Sequence, residues 1–185
     1  MDGPNVNWAF FQSFDAHLKD IHGFQLLSVG SCGLHTLHNS VKGGFAIWNI
    51  AKLLHALHSH FYHVPARRED YVETTGSDLF PLQFCGHRWL ENEPVATRAL
   101  QMWDDLKKYL DSVDNDSSHY HTLKESMKDP LTIPRLHFFL SVSRMFTPFL
   151  CKYQTDRPVI MYLYSDLKSL FVVCILYTAI SDIHC

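Results

Sequence analysis

Apolar side chains recur three or four residues apart along most of this 185-residue chain, the spacing that places them on one face of an α-helix. The repeat is clearest in four stretches, residues 5–20, 34–63, 94–110 and 133–150. Shorter repeats predict two more helices, from residue 67 to about Gly76 and over residues 120–128. The chain is therefore expected to fold into a mainly α-helical body.

Glycine, proline and short polar residues predict where these helices bend or end. The pair Gly43 and Gly44 is a weak point in the long second stretch, and Pro148 should end or kink the last one. Residues 111–118, D-S-V-D-N-D-S-S, have the composition of a loop. Residues 80–87 are expected to be extended or looped, with their aromatic side chains buried.

One short segment departs from the helical pattern. Residues 25–29, Q-L-L-S-V, are suited to a buried strand that closes at Gly30 and Ser31. A strand with too few partners has an open edge, which favours aggregation or pairing with another chain. This edge is expected to be a liability of the isolated polypeptide.

Composition excludes several classes of protein. Sixteen basic and nineteen acidic residues give a net charge of −3, which argues against a strongly basic nucleic-acid-binding protein and leaves a local basic groove open. The five cysteines are scattered without a C-x-x-C pair, so neither a disulfide framework nor an all-cysteine zinc site is expected. An intracellular reducing compartment, nuclear or cytoplasmic, fits this pattern.

The C-terminal region is strongly apolar. The uninterrupted run, residues 170–180, is about half the length that a bilayer-spanning helix requires. We expect a buried helix and no association with a membrane. The alternative for residues 171–185 is a non-native read-through end.

Two short motifs carry groups that could serve a site. Cys32 and His35 form a C-x-x-H at the predicted junction of strand and helix, where the helix dipole favours a thiolate or a phosphate. Arg88 and Trp89 place a guanidinium beside an indole, which can pair with phosphate and stack on an unpaired base. The simpler alternatives are a buried cysteine with a capping or core histidine, and a tryptophan that anchors a loop.

Four of the thirteen histidines fall on one predicted helix: His55, His58, His60 and His63. Residues three apart are neighbours on a helix, so a pair of them could share a transition metal. No carboxylate or thiol stands at a matching spacing to complete a zinc site. The alternative is a polar helix face.

The order of three motifs adds a resemblance to a known family. D-G-P-N-V-N at residues 2–7, C-G-L-H-T-L-H-N at 32–39 and F-C-G-H-R-W-L-E-N at 84–92 together resemble the hAT superfamily of DNA transposases. The stretch P-A-R-R-E-D-Y at 65–71 is similar to domesticated or degenerate animal members. The resemblance covers residues 2–170. It implies a β-α-β remnant of a ribonuclease H-like core, followed by an all-helical insertion domain.

The resemblance also implies a division of the chain and roles for five residues. Residues 1–40 would be the partial core, 41–170 the helical insertion and 171–185 an apolar tail. Asp2 matches the second catalytic acid, and Cys32 and His35 match the motif beside the active site. Trp89 matches the residue that stacks on a displaced base, with Arg88 as its basic neighbour.

The departures from the family decide the functional expectation. Active members use three acidic residues to gather two divalent ions, and only Asp2 has a match here. We therefore expect a catalytically inactive, transposase-derived fragment that holds no Mg²⁺ and has residual binding to DNA or to a related transposase subunit. The alternative is a small helical metal-binding or protein-interaction module organised by His55, His58, His60 and His63.

Overall fold

The computed structural model describes residues 5–26, 33–155 and 157–183, and every regular element within them is helical. There are nine α-helices in these ranges: α1 Asn5–His22, α2 Gly33–Phe45, α3 Ile50–Phe61, α4 Pro65–Thr75, α5 Glu93–Gln101, α6 Trp103–Ser112, α7 Ser118–Lys128, α8 Thr132–Tyr153 and α9 Leu163–Ile183. Three short 3₁₀ turns join them: Ala46–Trp48, Trp89–Asn92 and Ile160–Tyr162.

The predicted β-α-β remnant of a ribonuclease H-like core is wrong. Across the described ranges no strand is formed, and Gln25 and Leu26 are irregular. A lone strand leaves its backbone groups unpaired unless a sheet receives them. Here the Leu26 N–H donates to Asp15 Oδ1 of α1 at 2.6 Å, so the chain folds back onto the preceding helix. Residues 27–29 lie outside the described residues, and the open strand edge expected at 25–29 is not seen in the residues before them.

The predicted helix over residues 34–63 is divided into two. The break comes at Asn49, whose φ of 55° is left-handed, while Gly43 and Gly44 lie inside α2. Asparagine is one of the few side chains that adopts this conformation readily, whereas glycine inside a helix lowers stability without ending it. The predicted helix over 94–110 is likewise two helices, which meet at the fully buried Met102.

Pro148 does not end α8. A proline in a helix removes one backbone donor and crowds the carbonyl four residues before it. Pro148 lies on the exposed side of α8, and the preceding Thr147 Oγ1 donates to Ser143 O at 2.8 Å. The helix continues for five residues beyond the proline.

The core is built around α3, which packs most extensively against α7 and also contacts α4, α5 and α8. Two further pairs, α5 with α8 and α4 with α6, complete the body. Its centre is a group of fully buried side chains at helical spacing: Leu54, Leu57, Leu106, Leu110, Leu123, Leu136 and Phe139. Burial of such side chains is the main force that stabilises the fold.

Both ends of this body are helical. α2 runs continuously across residue 40, and α9 continues from Leu163 through residue 171, the positions at which the sequence predicted domain boundaries. In the described part of the chain, no helix is long and apolar enough to cross a lipid bilayer.

Candidate functional site

The C-x-x-H segment leads into α2 at its N-terminus. Cys32 lies outside the described residues, while His35 is exposed in the first turn of α2. One turn further along, His38 is buried, and its Nδ1 accepts a hydrogen bond from the Leu90 N–H at 3.4 Å. This bond joins α2 to the 3₁₀ turn Trp89–Asn92, so the structure brings the two motifs of the sequence into one corner.

Charges of both signs act on His38 in this corner. Burial lowers the pKa of His38, and the positive charges of His35, Arg88 and His87 lower it further, while Glu91 acts in the opposite direction. His38 is therefore kept neutral, the form in which Nδ1 can accept the Leu90 bond. His38 therefore serves the fold as a hydrogen-bond acceptor that joins α2 to the 3₁₀ turn.

Trp89 is a core residue in this corner. Only 4% of its surface is exposed, and its ring packs against those of Phe45, Phe84 and Phe139, with centroids 6.5, 5.3 and 6.2 Å away. A base could stack on this indole only if the ring left the core. Arg88, by contrast, is exposed and lies 3.4 Å from Glu91. Asp2, the matched catalytic acid, lies outside the described residues.

Asn92 organises the loop that carries these residues, a role that the sequence analysis missed. Its Oδ1 accepts from the Cys85 N–H at 2.6 Å, and its Nδ2 donates to the carbonyls of Cys85, Arg88 and Trp89 at 2.9–3.1 Å. The one available signal was the following Glu93-Pro94, which marks a helix start and an asparagine cap. The side chain points back into the loop instead and makes no cap hydrogen bond.

The histidines of α3 do not converge. The ring of His55 packs on Phe84, with centroids 5.0 Å apart, and that of His58 packs on Tyr62 at 4.8 Å. His60 is fully buried, and His63 lies beyond the end of α3. Within the described ranges, no group of three histidine, cysteine, aspartate or glutamate side chains is placed to hold a metal ion.

His60 is instead a buried neutral side chain of the core. Its Nε2 lies 3.5 Å from the Tyr109 hydroxyl, and its Nδ1 has no hydrogen-bond partner. Burial, reinforced by the charges of Arg67 and His119, lowers its pKa to about 4. His60 is thus separate from His58, whose pKa is lowered by burial and by the neighbouring His55 and His63.

A large groove lies between α2, α8 and α9. It encloses about 570 Å³ and is lined mainly by apolar side chains. α2 contributes Leu37 and the small residues around it; α8 and α9 contribute Phe146, Phe149, Leu163, Leu167, Leu170 and Phe171. A volume of this size accommodates a drug-sized ligand or several side chains of a partner.

Polar contacts fix α9 beside α8 at the edge of this groove. Asp166 of α9 accepts a hydrogen bond from the Tyr153 hydroxyl at 2.7 Å and pairs with Lys152 at 2.5 Å. Lys152 and Tyr153 together lower the pKa of the Asp166 carboxyl. The sequence predicted a buried helix here, but Phe171 is 68% exposed and Val172 and Val173 are also exposed.

The amphipathic helix α1 exposes aromatic side chains as well. Phe10 is 66% exposed and Phe14, stacked on it one turn later, is 44% exposed. Ile21 continues the same stripe. None of the extensive helix–helix contacts among the described residues involves α1. Contiguous exposed apolar surface of this kind marks interaction sites.

No protein-family model, curated protein or solved structure matches this chain. The resemblance to hAT transposases therefore depends on the sequence motifs alone. The all-helical body, the corner at His38 and the apolar groove are the features on which a function can be argued.

Proposed function

We propose that this chain is a catalytically inactive helical interaction module, derived from a hAT-type transposase, that binds an amphipathic helix of a transposase-related polypeptide. The observation that carries the proposal is the groove between α2, α8 and α9. It is apolar and concave, and its lining includes the half-buried rings of Phe146 and Phe149 and the exposed ring of Phe171, which are features of surfaces that receive an amphipathic helix.

Binding to DNA is supported less well by the same residues. Stacking on a displaced base needs an accessible ring, and Trp89 lies among three phenylalanines of the core. Phosphate recognition needs a free guanidinium, and Arg88 lies beside Glu91. The net charge of −3 adds no general attraction to a polyanion.

The test measures binding of the full chain to a full-length hAT-type transposase subunit by biolayer interferometry. Leu167→Asp places a carboxylate in the groove and should weaken binding at least tenfold, because a charge has no partner there. Ile47→Asp is the matched control, since Ile47 is 78% exposed and lies outside the groove lining. It should bind as the unmodified chain does.

A parallel titration with hairpin and single-stranded DNA separates the two classes of partner. Tight binding that falls steeply between about 50 and 200 mM salt and is lost in Arg88→Ala would contradict the protein-binding proposal. Equal affinity of the Leu167→Asp chain and the unmodified chain for the transposase subunit would also contradict it. Magnesium-dependent nicking of duplex DNA by the purified chain would overturn the proposed lack of catalysis.

A further inference from the structure

We infer that the helix received by the groove is α1 of a second copy of this chain, so that two copies exchange their N-terminal helices. This inference rests on the proposed function, because it names the occupant of the same groove. It joins two features that are otherwise unrelated: an apolar groove, and an amphipathic helix whose apolar stripe faces solvent.

α1 has the pattern of a helix that docks in a groove. Phe10, Phe14 and Ile21 are spaced at i, i+4 and i+11, so they share one face over about 16 Å of helix. Their exposure shows that this face is not buried against the body of its own chain. The groove lining likewise comes from α2, α8 and α9 and includes no residue of α1.

Exchange between two copies would bury the exposed apolar surface of both at once. Phe10, Phe14 and Ile21 of α1 and Phe171 of the groove are 66%, 44%, 56% and 68% exposed, which corresponds to about 450 Å² per copy at roughly 200 Å² for each side chain. A two-fold dimer uses every contact twice, so these side chains alone would supply about 900 Å². The surrounding helix surfaces add to this area, which approaches the roughly 1,200–2,000 Å² of a stable interface.

One acidic residue of α1 and one basic residue of α9 have opposite charges and lie on these two surfaces. Asp20 lies exposed near the end of α1, and Lys168 lies exposed beside Leu167 of α9. Neither forms an ion pair within the described residues, so each is available to the other copy. Such a rim pair would orient the incoming helix more than it would add affinity.

The test is sedimentation velocity of the full chain over a hundredfold range of concentration. The unmodified chain should sediment as a dimer that dissociates on dilution. Phe10→Asp combined with Phe14→Asp removes the apolar stripe of α1, and Leu167→Asp places a charge in the groove. Each variant should be monomeric. Ile47→Asp should remain dimeric.

Mixing the two monomeric variants provides the decisive experiment. One variant retains an intact groove and the other an intact α1, so a heterodimer with a single exchanged helix should form, weaker than the original dimer. A dimer built on any other surface would not show this complementation. Failure of the mixture to associate would overturn the inference, as would a monomeric unmodified chain.

These outcomes are separable from the proposed function. A chain that is monomeric at all concentrations, but loses transposase-subunit binding in Leu167→Asp, would overturn the exchange of α1 and leave the groove as a binding site for another polypeptide. A chain that neither dimerises nor binds the subunit would overturn both. Monomers destabilised equally by the α1 and groove variants would indicate that α1 docks within its own chain, and would overturn the exchange.

Discussion

The side-chain amide of Asn92 forms hydrogen bonds with backbone groups of three loop residues, Cys85, Arg88 and Trp89, inside a buried corner. A buried backbone group without a hydrogen bond costs more than the bond itself contributes, so this one side chain determines whether the loop can be buried at all. At the residue scale the fold therefore depends on polar groups whose partners are distant in sequence.

Replacing Asn92 with alanine should lower the free energy of unfolding by about 3 kcal/mol, because it leaves the Cys85 N–H without its acceptor and removes the amide's hydrogen bonds to the carbonyls of Cys85, Arg88 and Trp89. Asn92→Asp should also destabilise the chain, since it keeps the acceptor for Cys85 but loses the donors to Arg88 and Trp89. Urea denaturation followed by circular dichroism measures both. A change below about 0.5 kcal/mol in both variants would contradict this role.

The buried His60 predicts a dependence of stability on pH. Its pKa is lowered from 6.5 to about 4, so between these values the unfolded chain binds a proton that the folded chain does not. Stability should therefore fall as the pH decreases from about 6.5 to 4, by up to about 3 kcal/mol from this group.

The measurement for His60 is the free energy of unfolding between pH 7.5 and 4, compared with that of His60→Phe. The phenylalanine cannot titrate, and its size suits the surrounding aromatic rings Phe61 and Tyr109. The variant should show a shallower slope over this range. His38 and His58, whose pKa values are also lowered by burial, account for part of the slope that remains.

At the scale of the element, the ends of α3 are set by backbone conformation. Asn49 precedes the helix with a φ of 55°, and His63 follows it with a φ of 56°. In non-glycine residues this left-handed conformation raises the free energy of the backbone, least for asparagine and most for β-branched residues. The two residues fix the directions in which the chain enters and leaves the central helix.

His63→Gly should raise the free energy of unfolding by about 0.5 kcal/mol, and His63→Val should lower it by at least about 1 kcal/mol. The relief of strain by glycine exceeds its extra entropy in the unfolded chain only where φ is positive. His55→Gly is the comparison: His55 is also exposed but lies within α3 and packs on Phe84, so glycine there should destabilise by at least about 1 kcal/mol. Thermal unfolding measures all three, and equal effects at the two positions would refute the argument.

At the scale of the whole molecule, periodicity predicted most of the helical body because buried leucines such as Leu54, Leu106 and Leu123 repeat at helical spacing. The strand prediction at 25–29 failed because a short apolar run has the same composition in a strand and in a connecting segment, and only the Leu26–Asp15 bond distinguishes them. The groove was not predicted, since its lining residues on α2 are more than a hundred residues from those on α8 and α9.

The order of the motifs does not reveal where Trp89 lies in the fold. Its ring is in the core, because three phenylalanines from separate elements surround it. Ring clusters of this kind depend on tertiary packing, and no local pattern around R-W reveals them. The identity of Asp2 and Cys32 as site residues stays a prediction.

An ion pair and a hydrogen bond attach α9 to α8, whereas the helical body itself is stabilised by apolar packing. Asp166 joins the two through Lys152 and Tyr153, and protonation of this carboxyl or concentrated salt weakens the connection. Acidification should therefore accelerate amide hydrogen exchange in α9 before it affects α3, and Asp166→Asn should reproduce this at neutral pH. Simultaneous deprotection of both helices would show that they unfold as one unit. The ionic composition of the surroundings would then determine how accessible α9 is to a binding partner.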